Sequence, residues 1–183
     1  FTLGERVESF EKTEDGFIVT TGENTKVACK VIAIAGGLGC FEPRKPMLEG
    51  LESFERNGVD YMVKDPEKYR GKKVVIAGGG DSALDWAMYL PDVVEELTVV
   101  HRGSAFRGAP DSAQKILDLA EAGKIKLHLN SNVTALKGNG QLDGVTISNK
   151  AKEETQLDVD YFLPLFGLSP KLGPIADWGL NLD

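Results

Sequence analysis

Residues 74–86 read VVIAGGGDSALDW. Four apolar residues run straight into three glycines, and Asp81-Ser82 then opens an apolar helical start. An uninterrupted apolar run of this kind marks a strand covered on both faces. Residues Gly78-Gly79-Gly80-Asp81-Ser82-Ala83 fit the pattern G-x-G-x-x-A. In that pattern the first glycine makes a tight turn, the second lets backbone approach a pyrophosphate, and the small third residue lets the helix pack closely on the strand. The following helix would present its free N–H groups and the positive end of its dipole to the phosphates.

The motif carries weight only in a strand–turn–helix setting, and the flanking sequence supplies one. From Lys72 to Leu129 the pattern predicts a strand (73–77), a helix (82–90) stopped by Pro91, and a strand (97–100). A helix (112–122) stopped by Gly123 and a strand (125–129) follow. Such a βαβαβ order implies a parallel sheet with right-handed crossovers. On either side lies a second grammar. Residues 6–37 read as a three-stranded meander, with strands at Phe17–Thr21 and Lys26–Cys29. It feeds an apolar run, Val31 to Ala35, expected to form a buried strand ending at Gly36-Gly37. Residues 132–167 repeat this: a strand from Val133, a Gly-Asn-Gly turn, strands at 145–148 and 156–159, and an apolar run ending at Gly167. The expected fold class is therefore α/β, a Rossmann-like parallel sheet with a three-stranded antiparallel β-meander. Only the second meander is preceded by a βαβαβ unit. The chain is thus expected to be one complete dinucleotide-binding domain carrying the tail of a second, the alternative being that the first meander is an N-terminal decoration.

Bulk properties narrow the partners. The chain has 183 residues, 42% of them hydrophobic, and a net charge of −7. That balance disfavours a nucleic-acid partner, which needs cationic surplus to displace phosphate counterions. No apolar stretch reaches the roughly 18–20 residues of a membrane span, and FTLGERVESF lacks the order of a signal peptide, so a cytoplasmic setting is expected. Cys29 and Cys40 have neither CxxC nor metal spacing and read as small buried residues; no metal site is expected. Trp86, Met88, Tyr89 and Leu90 read as core, and Asp85 as a partner of the helix dipole rather than a catalyst. His101 and His128 have no Ser, Cys or carboxylate at a recognisable spacing, so no hydrolase and no catalytic residue is expected.

Which dinucleotide is recognised should be written after the second strand. An NAD site places an acid there for the ribose 2′-hydroxyl, whereas an NADP site avoids it and supplies arginine for the 2′-phosphate. Residues 97–108 read LTVVHRGSAFRG. His101 and Arg102 stand where the acid would be, and Arg107 follows, so the residues favour NADP(H).

At this point GGGDSALDWAMYL, VVHRGSAFRG and the C-terminal FLPLFGLSPKLGPIADWGLNLD carry a resemblance across nearly the whole chain. They resemble the thioredoxin-reductase-like flavoproteins, and among them the ferredoxin–NADP reductase branch. The resemblance implies an FAD domain split in sequence, with the NADPH domain inserted. Residues 1–43 would be the tail of the first FAD segment, 46–164 the NADP(H)-binding domain, and 165–183 the start of the returning FAD segment. It implies a cofactor set of Gly78, Gly79, Gly80, Asp81, Ser82, His101, Arg102 and Arg107, with Ala35, Gly36 and Gly167 at strand ends near a flavin. The full-length parent would pass hydride from NADPH to FAD and single electrons to ferredoxin or flavodoxin. It would be a homodimer, and the present chain, itself without reductase activity, is expected to be a monomer.

Two departures matter. Where thioredoxin reductases carry a redox CxxC before the glycine motif, this chain has Tyr61, Met62, Val63 and Lys64, so no dithiol relay is available. Gly103 stands where many members have a further arginine beside Arg102. Two other readings stay open on the sequence: a CxxC-lacking disulfide reductase of the same superfamily, and a non-enzymatic NADP-sensing module.

Overall fold

Alternating side chains between residues 7 and 29 produce three short strands, β1 (Val7–Thr13), β2 (Gly16–Thr21) and β3 (Lys26–Cys29). They pair antiparallel with β2 in the centre, and Phe17 lies opposite both Lys12 and Cys29. Phe10 meets Phe17 edge-on at 5.6 Å and Trp178 at 5.1 Å. Trp178, which follows the 3₁₀ turn Gly173–Asp177, thereby gains an apolar neighbour on this sheet. The computed structural model describes residues 1–36 and 41–181. It divides into two compact units, 1–42 with 169–183, and 43–168. The expected strand at Val31–Ala35 is not formed: residues 31–36 have no regular structure, and Val31 and Ile34 are 78% and 48% exposed. An apolar run becomes a buried strand only with ladder partners at its edges. The described residues of this unit offer no parallel strand beside it. Gly37 and Cys40 lie outside the described residues, and Cys29 is half-buried in β3.

The chain passes between units within β4 (Phe41–Pro43) and again within a short C-terminal strand, 168–170. The larger unit opens with α1 (Leu51–Phe54) and a 3₁₀ turn at Pro66–Tyr69. It continues with β5 (Lys73–Gly78), α2 (Asp81–Tyr89), β6 (Glu96–His101), α3 (Pro110–Glu121) and β7 (Lys126–Leu129). A second antiparallel meander follows, β8 (Ser131–Gly138), β9 (Leu142–Asn149) and β10 (Glu154–Asp158), and then β11 (Tyr161–Leu165). Strands β11-β5-β6-β7 form one all-parallel sheet in that order.

The run 74–77 explains the layering. Strand side chains alternate between faces, so Val74 and Ile76 join a cluster with Leu84, Ala87 and Ile116 of the two helices. Val75 and Ala77 join Phe162 with Leu142, Val145 and Ile147 of the second meander. All four β5 residues are 4% exposed or less. A strand covered by helices on one side and a sheet on the other must be apolar at every position, and this one is. At the edge of the parallel sheet, β11 tolerates Pro164, because an edge strand can lack a ladder donor.

Helix boundaries follow from their ends. Gly80 adopts an extended conformation before α2, and its carbonyl accepts from the N–H groups of Ala83 and Leu84. Pro91 then converts the helix end into a 3₁₀ turn over Leu90–Asp92. Helix α3 begins two residues earlier than its pattern suggested because Pro110 fits the first helical position, where no N–H is needed. It ends before Gly123, whose φ of +71° few other residues adopt. On α2, Ala83, Leu84, Ala87 and Leu90 form the buried stripe, and Trp86 and Met88 pack at its margin. Tyr89, expected in the core, falls off that stripe and is 54% exposed, resting edge-on against Trp86.

Two stability measurements test this layering. Leu84→Ala opens a cavity at a fully buried position and should cost about 2–5 kcal/mol, whereas Tyr89→Ala should cost less than about 1 kcal/mol; urea unfolding of both variants compares them. His128 on β7 is held below the usual imidazole range, mainly by burial and then by Lys126. The folded ring binds its proton less readily than the unfolded one. The His128 contribution is therefore complete above about pH 6.5 and is lost as pH falls from there toward the lower folded value. His128→Gln should flatten stability against pH in that window, as read by thermal melts at a series of pH values.

Candidate functional site

In a parallel sheet, strands that leave a common neighbour in opposite directions open a crevice at their carboxyl ends. Here β6 and β7 lie on one side of β5, and β11 on the other. At these ends lies a cleft of about 520 Å³ within the larger unit. Its floor is Ala77, Gly78 and Gly79; one wall carries Val100, His101, Arg102 and Arg107, and the other includes Arg44, Lys45 and Met47, with Leu165 and Phe166 near β11.

The three glycines have different reasons to be glycine. A Cβ on Gly78 would lie 2.7 Å from both the Ala83 Cβ and the Leu165 carbonyl oxygen, so this position secures close packing of turn, helix and β11. A Cβ on Gly79 would lie 2.3 Å from the His101 ring. At Gly79, the variable position between the two glycines of the pattern, the space is taken by a side chain of the chain itself. Gly80 alone faces open space. It stands before the first turn of α2, whose leading N–H groups lack intrahelical partners.

The loop after β6 folds over this turn. The N–H groups of Arg107 and Gly108 donate to the Gly79 carbonyl at 2.7 and 3.1 Å, and the Ala109 N–H donates to Asp81 Oδ1 at 2.8 Å. Asp81 is thus spent on the loop. Gly108 is pressed against α2, for a Cβ there would lie 2.6 Å from Leu84 Cδ1. His101 is 7% exposed, with Nδ1 3.0 Å from the Gly78 carbonyl oxygen and Nε2 2.9 Å from that of Ala105. It is a packed residue whose two ring nitrogens both face backbone carbonyls.

Of the expected site residues, Gly78, Gly79, His101, Arg102 and Arg107 line one cleft. Gly80, Asp81 and Ser82 sit beside it at the start of α2 without lining it. Gly167 has a φ of +87°, and its carbonyl accepts from the Arg44 N–H at 3.0 Å. Ala35 and Gly36 belong to the smaller unit, are exposed, and line no part of the cleft, whose lining lies entirely within residues 44–166.

Sequence reasoning missed the wall at 44–48. Its only signal is the pair Arg44-Lys45 in a stretch without periodicity. Lys45 Nζ donates to Glu55 Oε1 at 2.6 Å, as does the Tyr61 hydroxyl, and the ammonium sits over the Tyr61 ring. Lys45 and then Tyr61 hold the Glu55 carboxyl below the usual range, while burial and then Glu55 push the Tyr61 phenol up. Tyr61, at the place of the absent redox pair, therefore braces a cleft residue. The lining as a whole carries Arg44, Lys45, Arg102 and Arg107 and no carboxylate, in a chain of net charge −7. Such a cleft selects an anion. Among the described residues no cluster of His, Cys, Asp and Glu could hold a metal, and no helix is long and apolar enough to cross a membrane.

The chain is 56% identical over 186 residues to ferredoxin–NADP reductase 2 of Christiangramia forsetii, and 54% identical over 184 residues to the ferredoxin–NADP reductase of Flavobacterium johnsoniae. Each alignment takes in 100% of the chain and 52% of the relative, so the chain spans about half the length of the curated relatives it matches. Among solved structures, a thioredoxin reductase from Lactococcus lactis superposes with a TM-score of 0.82 at 27% identity, over 97% of this chain and 57% of that one. The family model described as pyridine nucleotide-disulphide oxidoreductase matches residues 1–183, and the chain belongs to that family.

Proposed function

We propose that this chain carries the NADP(H)-binding domain of a flavin-dependent ferredoxin–NADP reductase, residues 46–164 forming the domain and the flanking segments belonging to a split FAD domain. The observation that carries the reading is the cleft itself: three arginines, a lysine paired with Glu55 behind the wall, and no carboxylate in the lining, around a glycine turn that opens a helix. A 2′-phosphate brings a charge of about −1.5 to −2, and an acid at the end of β6 would repel it. Arg102 and Arg107 occupy that end instead. The diphosphate would lie over Gly80, the turn residue with open space, at the positive end of α2. Arg44 on the opposite wall would serve the diphosphate, which every nicotinamide dinucleotide shares.

The nicotinamide would then point toward β11, where the lining includes Leu165 and Phe166. In the parent reductase the flavin would supply the conversion between a two-electron donor and one-electron acceptors. The residues of this chain bind and orient the nucleotide and hold no acid or base for the reaction. Ala35 and Gly36 make no cradle for a flavin by themselves, so the flavin assignment rests on family membership and on the relatives. Ferredoxin or flavodoxin as electron partner, a homodimeric parent and a cytoplasmic setting rest on the same ground. The ferredoxin branch is favoured over disulfide reduction by Tyr61, Met62, Val63 and Lys64, which leave no dithiol before the glycine turn.

Calorimetric titration with NADPH and NADH tests the assignment. NADPH should bind at least about tenfold more tightly, about 1.4 kcal/mol, and Arg102→Ala or Arg107→Ala should abolish the difference while sparing NADH. Equal affinities in the unmodified chain would refute the NADP assignment. Arg44→Gln should behave differently, weakening both nucleotides by a similar factor of about 3–10 and leaving their ratio unchanged, because its proposed target is the group they share.

A further inference from the structure

We propose that His101 is the positioning residue for 2′-phosphate recognition: a buried ring that sets the Arg102 and Arg107 guanidinium groups by tying their loop to the glycine turn, without itself contacting the nucleotide. The inference rests on the NADP(H) reading above and goes beyond it by separating the residues that grip the phosphate from the one that places them.

The ring spans two pieces of backbone that are 27 residues apart in sequence, Gly78 and Ala105. Gly78 ends β5 and starts the glycine turn; Ala105 lies midway between the two arginines. Both groups facing the ring are carbonyl oxygens, which only accept. An N–H at Nδ1 donates to Gly78 and an N–H at Nε2 donates to Ala105, so either tautomer is held at one end and the doubly protonated ring at both. The Phe106 ring lies 5.1 Å away, tilted 33°, and closes the outer side.

Two glycines record the same ring. Gly79 lacks the Cβ that would lie 2.3 Å from it, and Gly103 lacks one that would lie 2.9 Å from Nε2 and 3.3 Å from the Ala105 carbonyl oxygen. Gly103, which looked like a lost arginine, is thus also the residue that lets the loop close around His101. The charged groups on the surrounding elements are Arg102 and Arg107 on the loop itself and Asp81 at the start of α2, which is engaged by the Ala109 N–H; β7 presents Leu129 opposite His101. No carboxylate is bonded to the ring, so its partners are the two backbone carbonyls.

A residue that positions the arginines should affect NADP(H) and spare NAD(H), which a general loss of structure would not do. The test titrates the unmodified chain, His101→Ala and His101→Gln with NADP⁺ and NAD⁺ by calorimetry, with melting temperatures alongside. His101→Ala should lower the NADP⁺ to NAD⁺ affinity ratio by at least about tenfold and leave NAD⁺ within about threefold. His101→Gln, which can reach only one of the carbonyls, should fall between. If His101→Ala does not fold, Gly103→Ala serves, because its methyl group pushes on Nε2 and should lower the ratio as well. An unchanged ratio in either folded variant, or parallel loss of both nucleotides, overturns the positioning role. An unmodified chain with no preference for NADP⁺ would instead remove the NADP(H) reading, and the proposal with it.

Discussion

The carbonyl of Gly79 holds the site together. It accepts from the N–H groups of both Arg107 and Gly108, and so fixes the loop after β6 onto the turn after β5. A loop carrying two arginines repels itself and packs on the core chiefly through Phe106, so its place is set largely by backbone bonds made elsewhere. Those bonds are available only because β5 and β6 run parallel and adjacent, with Ala77 beside Val100. That pairing depends in turn on an unbroken apolar strand covered by helices on one face and a meander on the other.

The same geometry explains how a chain of net charge −7 can hold an anion. Charge over the whole surface says little about a cleft whose walls exclude acids, because field from local cations is focused where water is partly displaced. The acids near this cleft are turned to other work: Asp81 accepts from Ala109, and Glu55 accepts from Lys45 and Tyr61. Their presence adds order to the walls, and their carboxylates do not line the space a phosphate would enter.

Much of this was legible in the sequence, and what was not has physical causes. The parallel sheet, both helices and both meanders could be read because each has a period or a terminator: VVIA for a covered strand, Pro91 and Gly123 for helix ends. The Val31–Ala35 run misled because apolarity signals burial but not the partner that provides it. Tyr89 misled because an aromatic beside a buried stripe looks like part of it until the helical phase is known. Within the site, Arg102 and Arg107 were visible from the motif, whereas Arg44 was not, since a basic pair in an aperiodic stretch has no pattern to betray it. The role of Gly79 was legible as a demand for space but not as to what fills that space, a ring 22 residues further along.

The most direct measurement is a crystal structure of this chain with NADP⁺ bound. The account predicts the 2′-phosphate between the guanidinium groups of Arg102 and Arg107, the diphosphate over Gly80 at the start of α2, and His101 still held between Gly78 and Ala105. A nucleotide whose 2′-phosphate points into solvent, or one bound away from the carboxyl ends of β5 and β6, would contradict it.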